Sequence, residues 1–198
     1  IAPMARNASI NRATNETEIR LALDLDGTGT SHIETGIGFF DHMLTALDKH
    51  GQFDLDVACR GDLEVDAHHT VEDVGICLGQ ALNEALGNKA GVTRFGTAAV
   101  PMDEALAQVA IDCSGRPYLV YAAEIPESTV GAFPSELGEE FFRSFADHGR
   151  INLHIDLVRG TNTHHCLEAS FKAAARSLRE AVAPDPRVKG IPSTKGTL

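Results

Sequence analysis

Two stretches of the chain alternate apolar and polar residues in the manner of half-buried strands: Phe53, Leu55 and Val57 in one, and Ile151, Leu153, Ile155 and Leu157 in the other. A helical pattern precedes each stretch. Phe40, Met43, Leu44 and Leu47 lead into the first, and Leu137, Phe141 and Phe145 into the second, all at spacings of three or four. A second helix follows each strand, marked by Val71, Val74, Leu78 and Leu82 and then by Leu167, Phe171, Ala174 and Leu178. Further strands stand ahead of each block. Ile19, Leu21, Leu23 and Leu25 alternate, and Ala105 to Cys113 followed by Pro117 to Ile125 reads as a pair turned at Ser114-Gly115-Arg116.

The same order of elements in both halves reflects a repeat at the level of residues. His50-Gly51 with its strand recurs as His148-Gly149 with its strand, 98 residues later. His68-His69-Thr70-Val71-Glu72 recurs as His164-His165-Cys166-Leu167-Glu168, 96 residues later. The expected fold is therefore α+β, an internally duplicated unit in which each half is a small β-sheet packed on two α-helices. The first half-repeat is assigned to residues 1–94, the second to 95–183, and a C-terminal tail to 184–198, together one domain. The helix-breaking run Gly87-Asn88-Lys89-Ala90-Gly91 marks the seam.

Composition narrows the function. With 17 Lys and Arg against 28 Asp and Glu, the net charge of -11 argues against nucleic acid or an anionic membrane as partner, since both select clustered cations. No apolar run reaches the ~20 residues that span a bilayer, and the start, Ile1-Ala2-Pro3-Met4-Ala5-Arg6, has no signal-peptide core. A soluble, cytoplasmic protein is expected. Cys59, Cys77, Cys113 and Cys166 lie far apart, with no C-x-x-C pair, and read as reduced core thiols.

The repeated H-H-x-x-E carries the chemistry. On a helix His68 and Glu72 lie one turn apart, but adjacent His68 and His69 point about 100° apart and serve one ion together poorly. The simplest arrangement is two metals, each taking a His from each half, with Glu72 and Glu168 completing them. Glu140 and His42, 98 residues apart on the two leading helices, supply one further donor each. Such nitrogen-rich sites with carboxylates suit Mn, Fe, Co or Zn rather than Ca. The other histidines, His32, His50, His148 and His154, read as structural; Cys166 does too, because Thr70 holds its place in the first half.

From Arg187 to Leu198 the acidic chain turns basic, with Arg187, Lys189 and Lys195 and no acid. Ser193-Thr194-Lys195-Gly196 offers hydroxyls, an ammonium and a flexible backbone suited to phosphate. Taken with Gly38-Phe39-Phe40-Asp41-His42-Met43-Leu44, Asp66-Ala67-His68-His69-Thr70-Val71-Glu72-Asp73, Thr163-His164-His165-Cys166-Leu167-Glu168-Ala169 and Asn15-Glu16-Thr17, this segment closely resembles the imidazoleglycerol-phosphate dehydratase family of histidine biosynthesis along nearly the whole chain.

The resemblance implies a hydro-lyase that converts imidazole glycerol phosphate to imidazole acetol phosphate. It implies two Mn2+ per subunit and a 24-subunit homo-oligomer with active sites between subunits. It implies that Glu16 and Glu168 move protons, that His42, His68, His69, Glu72, Glu140, His164, His165 and Glu168 hold metal, and that Glu16, Arg94, Arg116, Ser193 and Lys195 hold substrate. Glu140 departs from the family, whose other members carry His there. The proton to be removed has no carbonyl beside it, so holding the imidazole as an imidazolate between metals, whose electrons expel the neighbouring hydroxyl, makes chemical sense of the donors. Two other readings use the same residues: a di-metal phosphohydrolase, and a metal-storage shell that has no use for Arg94, Arg116 or Lys195.

Overall fold

A computed structural model describes residues 5–198. The sequence expectation for the segment from Ile1 to Met4 lies outside the described residues. The first half runs β1 (Asn7–Ala13), β2 (Thr17–Asp24), β3 (Thr30–Glu34), α1 (Gly38–Gly51), β4 (Asp54–Gly61) and α2 (His68–Leu86). The second runs β5 (Phe95–Met102), β6 (Ala105–Asp112), β7 (Tyr118–Ala122), the short pair β8 (Thr129–Val130) and β9 (Phe133–Pro134), α3 (Leu137–Gly149), β10 (Asn152–Arg159) and α4 (Thr163–Val182).

Alternation builds one apolar face on each sheet. In β2 Ile19, Leu21 and Leu23 are buried while Glu18 and Arg20 are exposed, and the antiparallel register sets Leu21 opposite Val57 and Leu23 opposite Leu55. The second sheet repeats this with Val109 opposite Ile155. The strand orders match: β1-β2-β4-β3 and β5-β6-β10-β7, each with its last strand parallel to its neighbour. Strand order and register thus repeat as the duplicated sequence pattern leads one to expect.

One reading of the strands needs correcting. The segments around Ser114-Gly115-Arg116 do not form a hairpin: β10 lies between β6 and β7, antiparallel to the first and parallel to the second. A parallel neighbour needs a long crossover, and the chain uses α3 for it. Strands β1 and β3 escape the sequence pattern because they carry few apolar residues and are only half covered, and β5 because its apolar residues do not alternate with polar ones and its one fully buried position is Gly96.

The helices fill the space between the sheets. α2 packs on β1 and β2, and α4 on β5 and β6; across the halves α2 packs on α3 and α1 on α4. A single apolar core results, and Phe40 of the first half meets Phe141 of the second edge to face at 5.6 Å between ring centroids. α2 and α3 approach closely because α2 presents glycines. A methyl group at Gly79 would lie 2.7 Å from the Phe145 carbonyl oxygen.

All four cysteines are buried and unpaired, and burial pushes Cys59 and Cys77 up to about 11 and Cys113 up to about 12, so they act as small core residues. Among the described residues no helix is long and apolar enough to cross a membrane.

Candidate metal centre

Both His pairs are fixed by the way their helices begin. Asp66 accepts a hydrogen bond from the His68 backbone N–H at 2.8 Å, and Asn162, at the equivalent place, accepts one from the His165 N–H at 3.1 Å. These short polar side chains satisfy N–H groups that a helix start leaves without partners. The histidines are thereby held in the first turn, and each pair splays, with ring centroids 6.2 Å apart and planes at 80° in one pair and 74° in the other.

Packing of α1 against α4 brings His42 to His164 and Glu168. Glu168 Oε2 lies 3.2 Å from His42 Nε2 and 2.9 Å from His164 Nε2, and the three donor atoms fall within 4.8 Å of one another. Lys172, one turn along α4, donates to the other Glu168 oxygen at 2.7 Å. Burial of Glu168 opposes its charge, but hydrogen bonds from Lys172, His164 and His42 outweigh burial and bring its pKa down to about 2. Phe39 sets its ring edge-on to His164 at 5.0 Å between centroids. Two imidazole nitrogens and a carboxylate oxygen aimed at one point fit a borderline divalent cation.

The duplicated counterpart is more open. His68 Nε2 stands 3.9 Å from Glu72 Oε2 on α2, and half-exposed Glu140 starts the α3 helix that packs on α2. Nothing draws Glu140 into a three-donor group with His68 and Glu72, and among the described residues the cluster of His42, His164 and Glu168 is the one that converges.

His69 and His165 turn away to other carboxylates. His69 Nδ1 is 2.8 Å from Asp62 and its Nε2 is 3.7 Å from half-exposed Glu16. His165 Nδ1 is 2.7 Å from Glu104 and its Nε2 is 3.6 Å from Asp103. Donating to the carboxylates of Asp62 and Glu104 raises the pKa of His69 and His165 respectively, while the hydrogen bond from His165, with others from backbone N–H groups, lowers Glu104 to about 2.

The proposed phosphate residues assemble elsewhere. Arg94 donates twice to Asp112, at 2.7 and 3.1 Å, and once to the Pro192 carbonyl at 2.8 Å, next to Ser193. Gly115, beside Arg116, lies so close to the chain end that a methyl group on it would come 2.7 Å from the Leu198 carbonyl carbon. Arg94, the Ser114–Arg116 turn and the tail with Ser193 and Lys195 therefore share one end of the second half. The Arg94 backbone N–H bonds to the Ala181 carbonyl at 2.8 Å, near the C-terminus of α4, whereas Glu168 and the His pair sit at its start. At 1.5 Å per residue the two groups are about 20 Å apart within one chain.

His148 bonds the Ser144 carbonyl through Nδ1 at 3.0 Å, in line with a structural role. Sequence reasoning missed Lys172, Phe39, Asp62, Glu104 and Asp103. Lys172 was legible as the i+4 partner of Glu168 on a helix; Glu104 reaches His165 through tertiary folding, and Asp62 reaches His69 from an irregular loop seven residues before it, which gives no periodic signal.

Comparison with known proteins identifies the family. The family model described as imidazoleglycerol-phosphate dehydratase matches residues 35–178. A protein of that name from Oceanobacillus iheyensis is 58% identical over 193 residues, spanning 98% of this chain and all of the relative. Another, from Gluconacetobacter diazotrophicus, is 59% identical over 195 residues, 98% of each chain. The crystal structure of imidazoleglycerol-phosphate dehydratase from Staphylococcus aureus superposes with a TM-score of 0.83 at 42% identity, covering 90% of this chain and 99% of that one. That of IGPD from Pyrococcus furiosus gives 0.83 at 38% identity, covering 96% and 100%. With its paired histidines, duplicated sheets and relatives matched end to end, this chain belongs to the imidazoleglycerol-phosphate dehydratase family.

Proposed function

We propose that the protein is a hydro-lyase that removes water from imidazole glycerol phosphate to give imidazole acetol phosphate in histidine biosynthesis, in the cytoplasm, with two Mn2+ per subunit in a 24-subunit homo-oligomer. The observation that carries this reading is the convergence of His42, His164 and Glu168 in a chain of this family. A divalent cation bound there supplies Lewis acidity toward the substrate's imidazole nitrogens and a template that orients the ring.

The chain's own groups account for the rest. Glu16, half exposed and 3.7 Å from His69 Nε2, is free to take the proton from the carbon beside the departing hydroxyl. Glu168 is held ionised by Lys172 and two imidazoles, which suits it to hold a cation, while the proton taken from carbon leaves with the departing hydroxyl as water. Arg94 spends three of its five N–H donors on Asp112 and Pro192, which pins the tail and leaves two for a phosphate oxygen. Ser193, Lys195 and Arg116 complete a cationic, hydroxyl-lined cradle for a phosphomonoester carrying about -1.5 to -2 charge.

The separation of about 20 Å between Glu168 and Arg94 supports active sites shared between subunits, because a small substrate cannot reach both ends of α4 in one chain. In this reading His69 and His165, which turn to Asp62 and Glu104 and not to the cluster of His42, His164 and Glu168, would complete sites with a neighbouring copy.

The reading is tested by giving the Mn-loaded protein imidazole glycerol phosphate. The expected product is a ketone that retains its phosphate, formed in a reaction abolished by chelation. Release of inorganic phosphate would instead identify a phosphohydrolase, and no turnover with metal bound would identify a storage protein.

A further inference from the structure

The sheet register identifies a second duplication that the His motifs do not show. Leu21 pairs with Val57 and Val109 with Ile155, so Leu21 and Val109 are twins, and the β1–β2 and β5–β6 turns place Glu16 and Glu104 at equivalent positions. The twins have taken opposite sides of equivalent imidazoles. Glu104 sits on Nδ1 of His165 at 2.7 Å, while Glu16 stands beside Nε2 of His69 at 3.7 Å. In the first half the Nδ1 partner is Asp62, from the loop after β4, at 2.8 Å.

We propose that Asp62 and Glu104 are positioning residues that hold His69 and His165 as Nδ1–H tautomers with Nε2 directed outward, and that Asp62, by taking this task in the first half, leaves Glu16 unengaged for proton transfer. A carboxylate on one ring nitrogen fixes the tautomer and makes the other nitrogen the better ligand. The other Asp62 oxygen is buried and has no hydrogen-bond partner, so this side chain is committed to His69 alone. Glu104 also accepts from the backbone N–H groups of Thr161, at 3.2 Å, and Asn162, at 2.7 Å, which ties the His165 ring to the cap of its own helix. The spare twin position in the first half is what allows one copy of the turn to keep an orienting role while the other acquires a chemical one.

The inference rests on the metal reading above, and the test separates the two. Mn2+ affinity of the full-length protein is measured by competition with a chelator for the wild type, Asp62→Ala, Asp62→Asn, Glu104→Ala and Glu104→Gln, and ring tautomers are read from 15N shifts of histidine-labelled, metal-free protein. The expected result is a 10- to 100-fold weaker Mn2+ affinity in each Ala variant, loss of one Nδ1–H signal, and substantial recovery in the Asn and Gln variants, whose amide oxygen still accepts from Nδ1. Asp62→Ala is the cleaner variant because that side chain bonds no backbone group of the helix cap. Ala variants with wild-type affinity and unchanged tautomers would overturn the positioning role alone. A wild type that binds no Mn2+ would overturn the metal reading.

Discussion

Asp48 shows how a single residue can oppose the fold that contains it. It is fully buried on α1, neither carboxylate oxygen has a hydrogen-bond partner, and its twin on α3 is Ala146, equally buried. Burial, with Asp54 and Asp56 nearby and only Lys49 opposing, raises its pKa from 3.8 to about 7. The folded state therefore holds this proton more tightly than the unfolded chain, and stability falls as pH rises from about 4 through about 7. Asp48→Ala should stabilise the protein above pH 7 by on the order of 2 kcal/mol and change little below pH 4, as read by denaturant unfolding at several pH values. At the metal cluster Glu168→Gln should lower turnover by at least about 100-fold and weaken divalent binding, measured by steady-state kinetics beside metal titration. The proposed ligand residues were legible in sequence because the repeat aligns them and because H-H-x-x-E has helical geometry. Asp62 and Glu104 were not: Glu104 reaches His165 across the packing of segments distant in sequence, and Asp62 reaches His69 from the preceding loop, whose conformation no periodicity sets.

At the scale of elements, the close approach of α2 to α3 rests on bare backbone. A Cβ at Gly79 would stand 2.7 Å from both the Gly149 nitrogen and the Phe145 oxygen, atoms that cannot move aside without shifting a helix. Gly79→Ala should cost about 1–3 kcal/mol through overpacking, seen as a lower denaturation midpoint with an unchanged slope. Helices α1 to α4 and strands β2, β4, β6 and β10 were readable because their buried faces are rich in Leu, Ile, Val and Phe. The β6–β7 pairing was misread because sequence proximity favours a hairpin, whereas β7 gains a parallel partner in β10 only after the chain has crossed through α3. Local periodicity contains no information about which strand inserts between two others.

For the whole molecule, duplication explains both the architecture and its division of labour. Two copies of a sheet with an apolar face bury their helices against each other, and the copies then diverge: His42 with Glu140, Glu16 with Glu104, Asp48 with Ala146. The repeat was visible along the chain, but the distance between its two chemical ends was not. The proposed cation donors gather at the start of α4 and the proposed phosphate-holding residues at its far end, about 20 Å away, so a working site of the proposed kind draws on two copies of the chain. Lys195→Ala should raise KM more than it lowers kcat, and it disables only the phosphate end. The most direct test is to co-assemble this variant's stronger form, Arg94→Ala with Lys195→Ala, with Glu168→Gln, each inactive by itself. Restored activity in the mixed assembly, absent from either parent, is the predicted result; mixed assemblies as inactive as both parents would contradict a site shared between subunits.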